Sequence, residues 1–315
     1  MRSLLHQPAA AANFVLPRRA LPSPINKWPI GMLAALLLGG CSPASIVNLF
    51  VPTSGVEITH SVAYGEGPRR TLDIYRPAGA TAAPVVVFFY GGSWQSGSKE
   101  LYAFLGVTLA RRGYLTVVPD YRIYPEVRYP DFLRDGAQAV RWAKDNAVHF
   151  GGEPKELFVM GHSAGAHIAS MLALDRRWLG EVGLAPERDI AGLIGVSGPY
   201  DFLPLRDETL KEIFGGANQP DTQPITHIVS GAPPSLLLTG TSDSVVDPGN
   251  ATRLAARLHA SGDEASVAIY PHIGHITIMA AVAWPLRFLA PTLRDVTAFL
   301  AGQVRRRAEL PAAKP

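Results

Sequence analysis

The sequence predicts an α/β fold in which helices cover both faces of a mostly parallel central sheet, and three observations predict it. Short apolar runs recur near residues 84–90, 115–119, 156–160, 191–197, 235–239 and 266–270. Stretches with helical spacing separate them, and strands that alternate with helices form crossover-connected parallel sheets buried on both faces. Several runs end in loops rich in Gly, Ser, Asp and His, at the edge where open α/β sheets present their chemistry. The 274 residues that follow Cys41 suit one large core.

The elements follow in order. Residues 1–41 read as a lipoprotein-type signal peptide: Arg18, Arg19 and Lys27 precede the apolar run from Ile30 to Leu38, far shorter than the ~20 residues a membrane span needs. Leu38-Gly39-Gly40-Cys41 resembles a bacterial lipobox. Cys41 is the only cysteine of the chain, so no intramolecular disulfide can form, and the one thiol stands where a lipid anchor is attached. The expected location is the bacterial cell envelope, at the outer membrane because Ser42 rather than an aspartate follows, and otherwise periplasmic or secreted. The leader carries four basic residues and no acidic one, so its removal takes the formal charge from +3 to −1. The basic balance is therefore not a nucleic-acid signal.

Residues 42–58, with Pro43, Pro52 and Gly55, read as a tether, and residues 59–302 as the domain. Residues 56–76 read as an antiparallel pair that opens the sheet. The next run leads into Tyr90-Gly91-Gly92-Ser93-Trp94, where two glycines let the main chain approach a substrate. The amides of Gly92 and Ser93, with that of Ala164, are candidate donors to a developing oxyanion. The run at 156–160 leads into Gly161-His162-Ser163-Ala164-Gly165. Where a strand turns abruptly into a helix, side chains two residues either side of the serine would strike the neighbouring backbone, so Ser163 is the candidate nucleophile.

A serine hydroxyl attacks poorly at neutral pH unless an imidazole takes its proton and a carboxylate orients the imidazole. Asp243 follows the strand at 235–239 and is the candidate acid; Asp247, placed before Pro248 to cap the next helix, and Asp201 are alternatives. His275 follows the strand at 266–270 and is the candidate base, because Gly274 frees its backbone; His272, after Pro271, is the alternative. His149, His162 and His167 are expected to pack or face solvent. Residues 202–231 form a modest, polar insert, a small lid whose Leu203, Leu205, Leu210, Ile213 and Phe214 could make a shallow acyl wall. Residues 303–315, with Arg305, Arg306 and Arg307, read as a basic tail at a solvated helix end.

Together these motifs resemble the α/β-hydrolase superfamily, and within it the serine esterase and lipase branch whose oxyanion motif is usually His-Gly-Gly-X-Trp. Tyr90 stands where that histidine would be. Asp120-Tyr121-Arg122-Ile123-Tyr124-Pro125-Glu126, continued by Tyr129, Pro130 and Asp135, is similar to a segment expected to brace the loops around the serine. Ser197-Gly198-Pro199-Tyr200-Asp201 is similar to the loop after the sixth strand. The resemblance covers about residues 60–302 and is shared by isoprenylcysteine methylesterase-like, feruloyl-esterase-like and kynurenine-formamidase-like enzymes. It implies hydrolysis of small-molecule carboxylic esters through an acyl-enzyme; the modest polar insert points to short-chain ones first, and no metal, organic cofactor or nucleic-acid partner is expected. Two other readings stay open: an amidase or peptidase on the same triad, and a catalytically silent envelope lipoprotein.

Overall fold

The computed structural model describes residues 47–48, 51–228 and 230–309; Cys41 and the leader lie outside them. Its strands are β1 (Val56–Ala63), β2 (Thr71–Pro77), β3 (Ala83–Phe89), β4 (Leu115–Pro119), β5 (Gly152–His162), β6 (Gly192–Val196), β7 (Ser235–Gly240) and β8 (Ala265–Tyr270). The helices are α1 (Ala103–Ala110), α2 (Asp131–Asn146), α3 (Ala164–Leu174), α4 (Arg176–Gly180), α5 (Pro186–Asp189), α6 (Glu208–Phe214), α7 (Gly249–Ala260), α8 (Thr277–Ala280) and α9 (Thr292–Glu309).

All eight strands form one sheet in the order β1-β2-β4-β3-β5-β6-β7-β8. The first two pairings are antiparallel and the other five parallel. Every residue of β4, β6 and β7 is buried, as strands covered on both faces require. The edge strands β1 and β8 are half exposed. From β3 the chain winds outward to β4, then returns to place β5 on the other side of β3. The strand order thus reverses between β3 and β5, where a crevice opens at their carboxyl ends.

α3 is buried along all eleven residues, which its Ala, Gly and Ser content permits. α2 buries one face, from Phe132 to Ala143, and crosses α3 closely at Gly136, where a Cβ would stand 3.0 Å from Ile168.

Three boundaries differ from the expected ones. The segment read as a tether already belongs to the domain: β1 begins at Val56, and Asn48 donates to the carbonyl of Glu100 and accepts from the amide of Phe104, both at 2.8 Å. The boundary at residue 302 falls inside α9, whose last turns carry Arg305 to Arg307, and Arg306 pairs with Glu264. β5 begins four residues before its apolar run, because Ala83 and Pro84 pair with Gly152 and Glu153 across a register shift.

Candidate active site

β5 ends at His162 and α3 begins at Ala164, so Ser163 alone makes the turn, at φ 56° and ψ −124°. Residues other than glycine seldom enter this region and need their surroundings to hold them there. Here the Ser163 amide donates to Val196 O at 2.9 Å, extending the β5–β6 ladder, while its carbonyl accepts from the amides of Ala166 and His167. A Cβ on Gly161 would stand 2.1 Å from Gly165 O, and one on Gly165 2.1 Å from Phe89 O. Contact between main chains therefore imposes both glycines.

The loops after β7 and β8 bring Asp243 and His275 to the serine. His275 Nδ1–H donates to Asp243 Oδ2 at 2.8 Å; since an ionised carboxylate only accepts, this fixes the tautomer and leaves Nε2 to accept from Ser163 Oγ–H, also at 2.8 Å. The other Asp243 oxygen accepts from the amides of Val245 and Val246 at 3.0 and 2.9 Å. Burial pushes against the Asp243 charge, but the His275 hydrogen bond and the two amides prevail and hold its carboxyl below the usual range.

The alternatives are occupied elsewhere. Asp247 accepts from the Gly249 amide at the start of α7 and pairs with Arg253, which also pairs with Asp201. His272 is exposed. The reason expected for His275 is nevertheless corrected: a Cβ on Gly274 would make only ordinary contacts, and the left-handed residue of this loop is His272, at φ 61°.

Beside the serine, Gly92, Ser93 and Trp94 adopt φ values of 138°, 54° and 59°. The amides of Gln95 and Ser96 close this turn on Gly92 O. A Cβ on Gly91 would lie 2.9 Å from the Cβ of Ser163, and one on Gly92 2.1 Å from Ser96 O. The double glycine thus answers to Ser163 and to the turn. Among the described residues the amides of Gly92, Ser93 and Ala164 are bonded to no acceptor. Ser93 and Ala164 line a cleft of about 540 Å³ together with Ser163.

Tyr90 is anchored through a phenol where the resembling motif has an imidazole. Its hydroxyl donates to Asp120 Oδ1 at 2.7 Å and accepts from Arg69 at 2.8 Å. Asp120 Oδ1 also accepts from the Lys99 amide, and Tyr121 O–H donates to Tyr90 O at 2.8 Å. Arg122 grips the fully buried Asp135 with two guanidinium nitrogens at 2.9 and 2.8 Å. The tyrosine contacts tie the loop after β4 to the turn after β3, and the Arg122–Asp135 pair ties it to α2, the kind of bracing the sequence segment implied.

Two histidines expected only to pack have more specific partners. His162 Nε2–H donates to His275 O at 3.0 Å, and Tyr102 O–H meets its Nδ1 at 3.3 Å. Burial, then the neighbouring His275, pulls the His162 pKa down to about 3, so the ring is neutral and holds the main chain of the base from behind. His167 Nε2–H donates to Thr222 O at 2.8 Å amid Trp94, Phe202 and Phe214, tying α3 to the insert; burial lowers its pKa to about 4. No local pattern announces the His162 contact, whose partners are 113 residues apart.

Phe202, Leu203, Leu205, Leu210, Val245 and Val246, with Trp94, Pro199 and Pro204, make the apolar lining of the cleft, and Arg206, Asp207 and Arg253 are among its polar residues. Of the expected acyl wall, Ile213 and Phe214 are absent from this lining: both are buried, Phe214 edge-on to Trp94 and His167.

The model of the BD-FAE family matches residues 72–258, more than half of the chain. The chain belongs to the BD-FAE family. This BD-FAE chain is 28% identical over 265 residues to a probable isoprenylcysteine alpha-carbonyl methylesterase of Arabidopsis thaliana, covering 76% of this chain and 55% of that one. It is 28% identical over 240 residues to the esterase LipC of Mycobacterium tuberculosis, covering 68% and 58%. The chain thus spans about half the length of the curated relatives it matches. Among solved structures, an esterase B from Lactobacillus rhamnosis superposes with a TM-score of 0.71 at 20% identity, over 88% of this chain and 93% of that one. An esterase of Thermogutta terrifontis gives 0.62 at 24% identity, over 84% and 98%. The BD-FAE domain therefore has the α/β-hydrolase fold.

Proposed function

We propose that this protein is a serine esterase that hydrolyses small carboxylic esters through an acyl-enzyme. The observation that carries the reading is the hydrogen-bonded chain from Ser163 through His275 to Asp243, at 2.8 Å in each link, beside three amides that meet no acceptor among the described residues. Ser163 Oγ attacks the ester carbonyl as its proton passes to His275 Nε2, and Asp243 stabilises the resulting imidazolium. The amides of Gly92, Ser93 and Ala164 receive the oxyanion, each worth roughly 10²–10³ in rate if it acts as such donors do elsewhere. His275 then returns the proton to the departing alcohol, and water repeats the sequence on the acyl-enzyme.

Relatives named as a methylesterase and an esterase support esters over amides. The intact hydrogen-bonded chain weighs against a silent lipoprotein. A fluorophosphonate probe should label the parent and not Ser163→Ala, which should lose at least about 10³-fold in hydrolysis of a p-nitrophenyl ester. Labelling of both would refute the assignment, as would faster turnover of a matched anilide than of the ester.

The charged residues Arg206, Asp207 and Arg253 that interrupt the apolar lining support short acyl groups. Each buried methylene adds about 0.8 kcal/mol only while apolar surface receives it, so kcat/KM should peak between about C2 and C6. A maximum at C12 or beyond, with activation at an oil surface, would show a lipase.

We also infer that Cys41 is acylated and holds the enzyme at the bacterial envelope, on the outer membrane. The support is the sequence Leu38-Gly39-Gly40-Cys41 with Ser42. Labelled palmitate should enter the parent chain and not Cys41→Ser, and the two should fractionate differently between membrane and soluble pools.

A further inference from the structure

Away from the cleft the domain has a second cavity of about 600 Å³, lined by Pro52, Arg111, Arg112, Trp284 and Arg287. Three of the five lining residues are arginines and none is acidic. Among the described residues the hydrogen bonds of these guanidinium groups reach only backbone carbonyls: Arg111 to Pro52 at 3.4 Å, Arg112 to Thr108 at 3.4 Å and Arg287 to Val282 at 3.3 Å. Other arginines are paired, as Arg122 is with Asp135, Arg177 with Asp175 and Asp221, and Arg253 with Asp201 and Asp247, while Arg69 and Arg307, like the cavity arginines, have no carboxylate partner among the described residues but do not converge on a cavity. Arg112 and Arg287 are pulled below the usual guanidinium range by burial and then by neighbouring arginines. A converging set of cations without carboxylates is complementary to an anion with several oxygens, such as a phosphate.

The rim selects the source of that phosphate. Trp284 is 55% exposed and Phe288, next to Arg287, is 77% exposed. Large aromatic side chains beside basic ones are the composition of surfaces that settle into the headgroup layer of a bilayer. Pro52, in the cavity wall, stands eleven residues after Cys41 in the sequence.

We propose that Arg111, Arg112, Arg287 and Trp284 form a docking site for the phosphate headgroups of an anionic phospholipid membrane. The site rests on its own residues and does not require Cys41 to be acylated. The Cys41→Ser chain, which has no cysteine left to acylate, is therefore the form to test. It should co-sediment with phosphatidylethanolamine–phosphatidylglycerol vesicles at low salt, less as salt rises, and much less with phosphatidylcholine vesicles. Each basic side chain near an anionic surface contributes about fivefold. Arg112→Glu combined with Arg287→Glu should thus weaken vesicle binding at least about tenfold, with an unchanged melting temperature and unchanged hydrolysis of a soluble ester. Trp284→Ala should weaken it at high salt as well as low. If charge reversal disturbs folding, Arg112→Gln with Arg287→Gln makes the same comparison. Equal binding by parent and double variant would overturn the proposal. Calorimetric binding of inorganic phosphate, lost in the double variant but without vesicle binding by the parent, would also overturn it and leave a small-anion site.

Discussion

On the nucleophile side of the cleft, main chain presses on main chain: Gly161 against Gly165, Gly165 against Phe89, Gly92 against Ser96. On the opposite side the surface is made of side chains from the insert and from the loop after β7, among them Phe202, Leu203, Leu210 and Val245, the last 66% exposed. The first wall tolerates no added atom, because a carbonyl oxygen cannot rotate away. The second can lose or gain methyl groups with little effect on the sheet beneath. On the proposed function, chemistry and selectivity are held by different kinds of contact, and they should fail differently.

The sharpest test is Gly165→Ala. Its Cβ would stand 2.1 Å from Phe89 O, so the turn must open or the fold give way. We expect little soluble protein, or a melting temperature lowered by more than about 10 °C, well beyond the ~2–4 °C that 1 kcal/mol shifts a domain of this size. A folded, active variant would show that the main-chain wall is softer than its distances imply. Next comes Asp243→Asn, which keeps shape but loses the acceptor that fixes the tautomer of His275; kcat should fall roughly 10³–10⁴-fold. Asp247→Asn removes only a helix-start and Arg253 contact and should change kcat less than about threefold. Similar losses in both would mean that the acid has been misassigned.

A pH series probes the same wall from behind. His162 and His167 have folded pKa values near 3 and 4, below the ordinary 6.5, so the unfolded chain takes up their protons first as pH falls. Their neutral burial contributes its full stability above about pH 6.5 and loses it toward pH 4 and 3. Each contributes at most about 1.4 kcal/mol per pH unit to the slope. In urea unfolding at pH 7, 6 and 5, His162→Gln, whose amide can still donate to His275 O, should show a shallower slope than the parent. Parallel slopes would count against a neutral, buried His162. The smallest effect belongs to the acyl wall: Val245→Ala with Leu210→Ala should lower kcat/KM for butyrate and hexanoate esters by about tenfold or less and for acetate by under about twofold. An equal loss for all three chain lengths would mean that these side chains do not meet the acyl group.

The same division explains what the sequence disclosed. Contacts within a few residues leave local marks: the apolar runs of β4, β6 and β7, and the glycines two places either side of Ser163, were legible as such. Asp243 and His275 were legible through the order of strand ends. His162 was not, because its partner is on a loop far along the chain and a buried histidine leaves no periodic trace. Phe214 looked like cleft lining from its place in the insert, yet the cluster around Trp94 and His167 drew it under the floor. Proline and glycine suggested a free tether where Asn48 in fact docks on the start of α1 and on Glu100 just before it, through two hydrogen bonds that no composition foretells.

The insert between β6 and β7 leaves the sheet at Ser197 and rejoins it at Ser235, while Ser163, Asp243 and His275 all stand outside it. Its polar moorings include His167 to Thr222, Arg177 to Asp221, and Tyr129 to the carbonyl of Asp221. Between such moorings the segment behaves as a replaceable cartridge. On the proposed function, lengthening or exchanging it would change which ester fits without touching the residues that break the bond. Grafting a larger apolar insert between the same moorings is accordingly a route by which a small-ester hydrolase becomes a lipase.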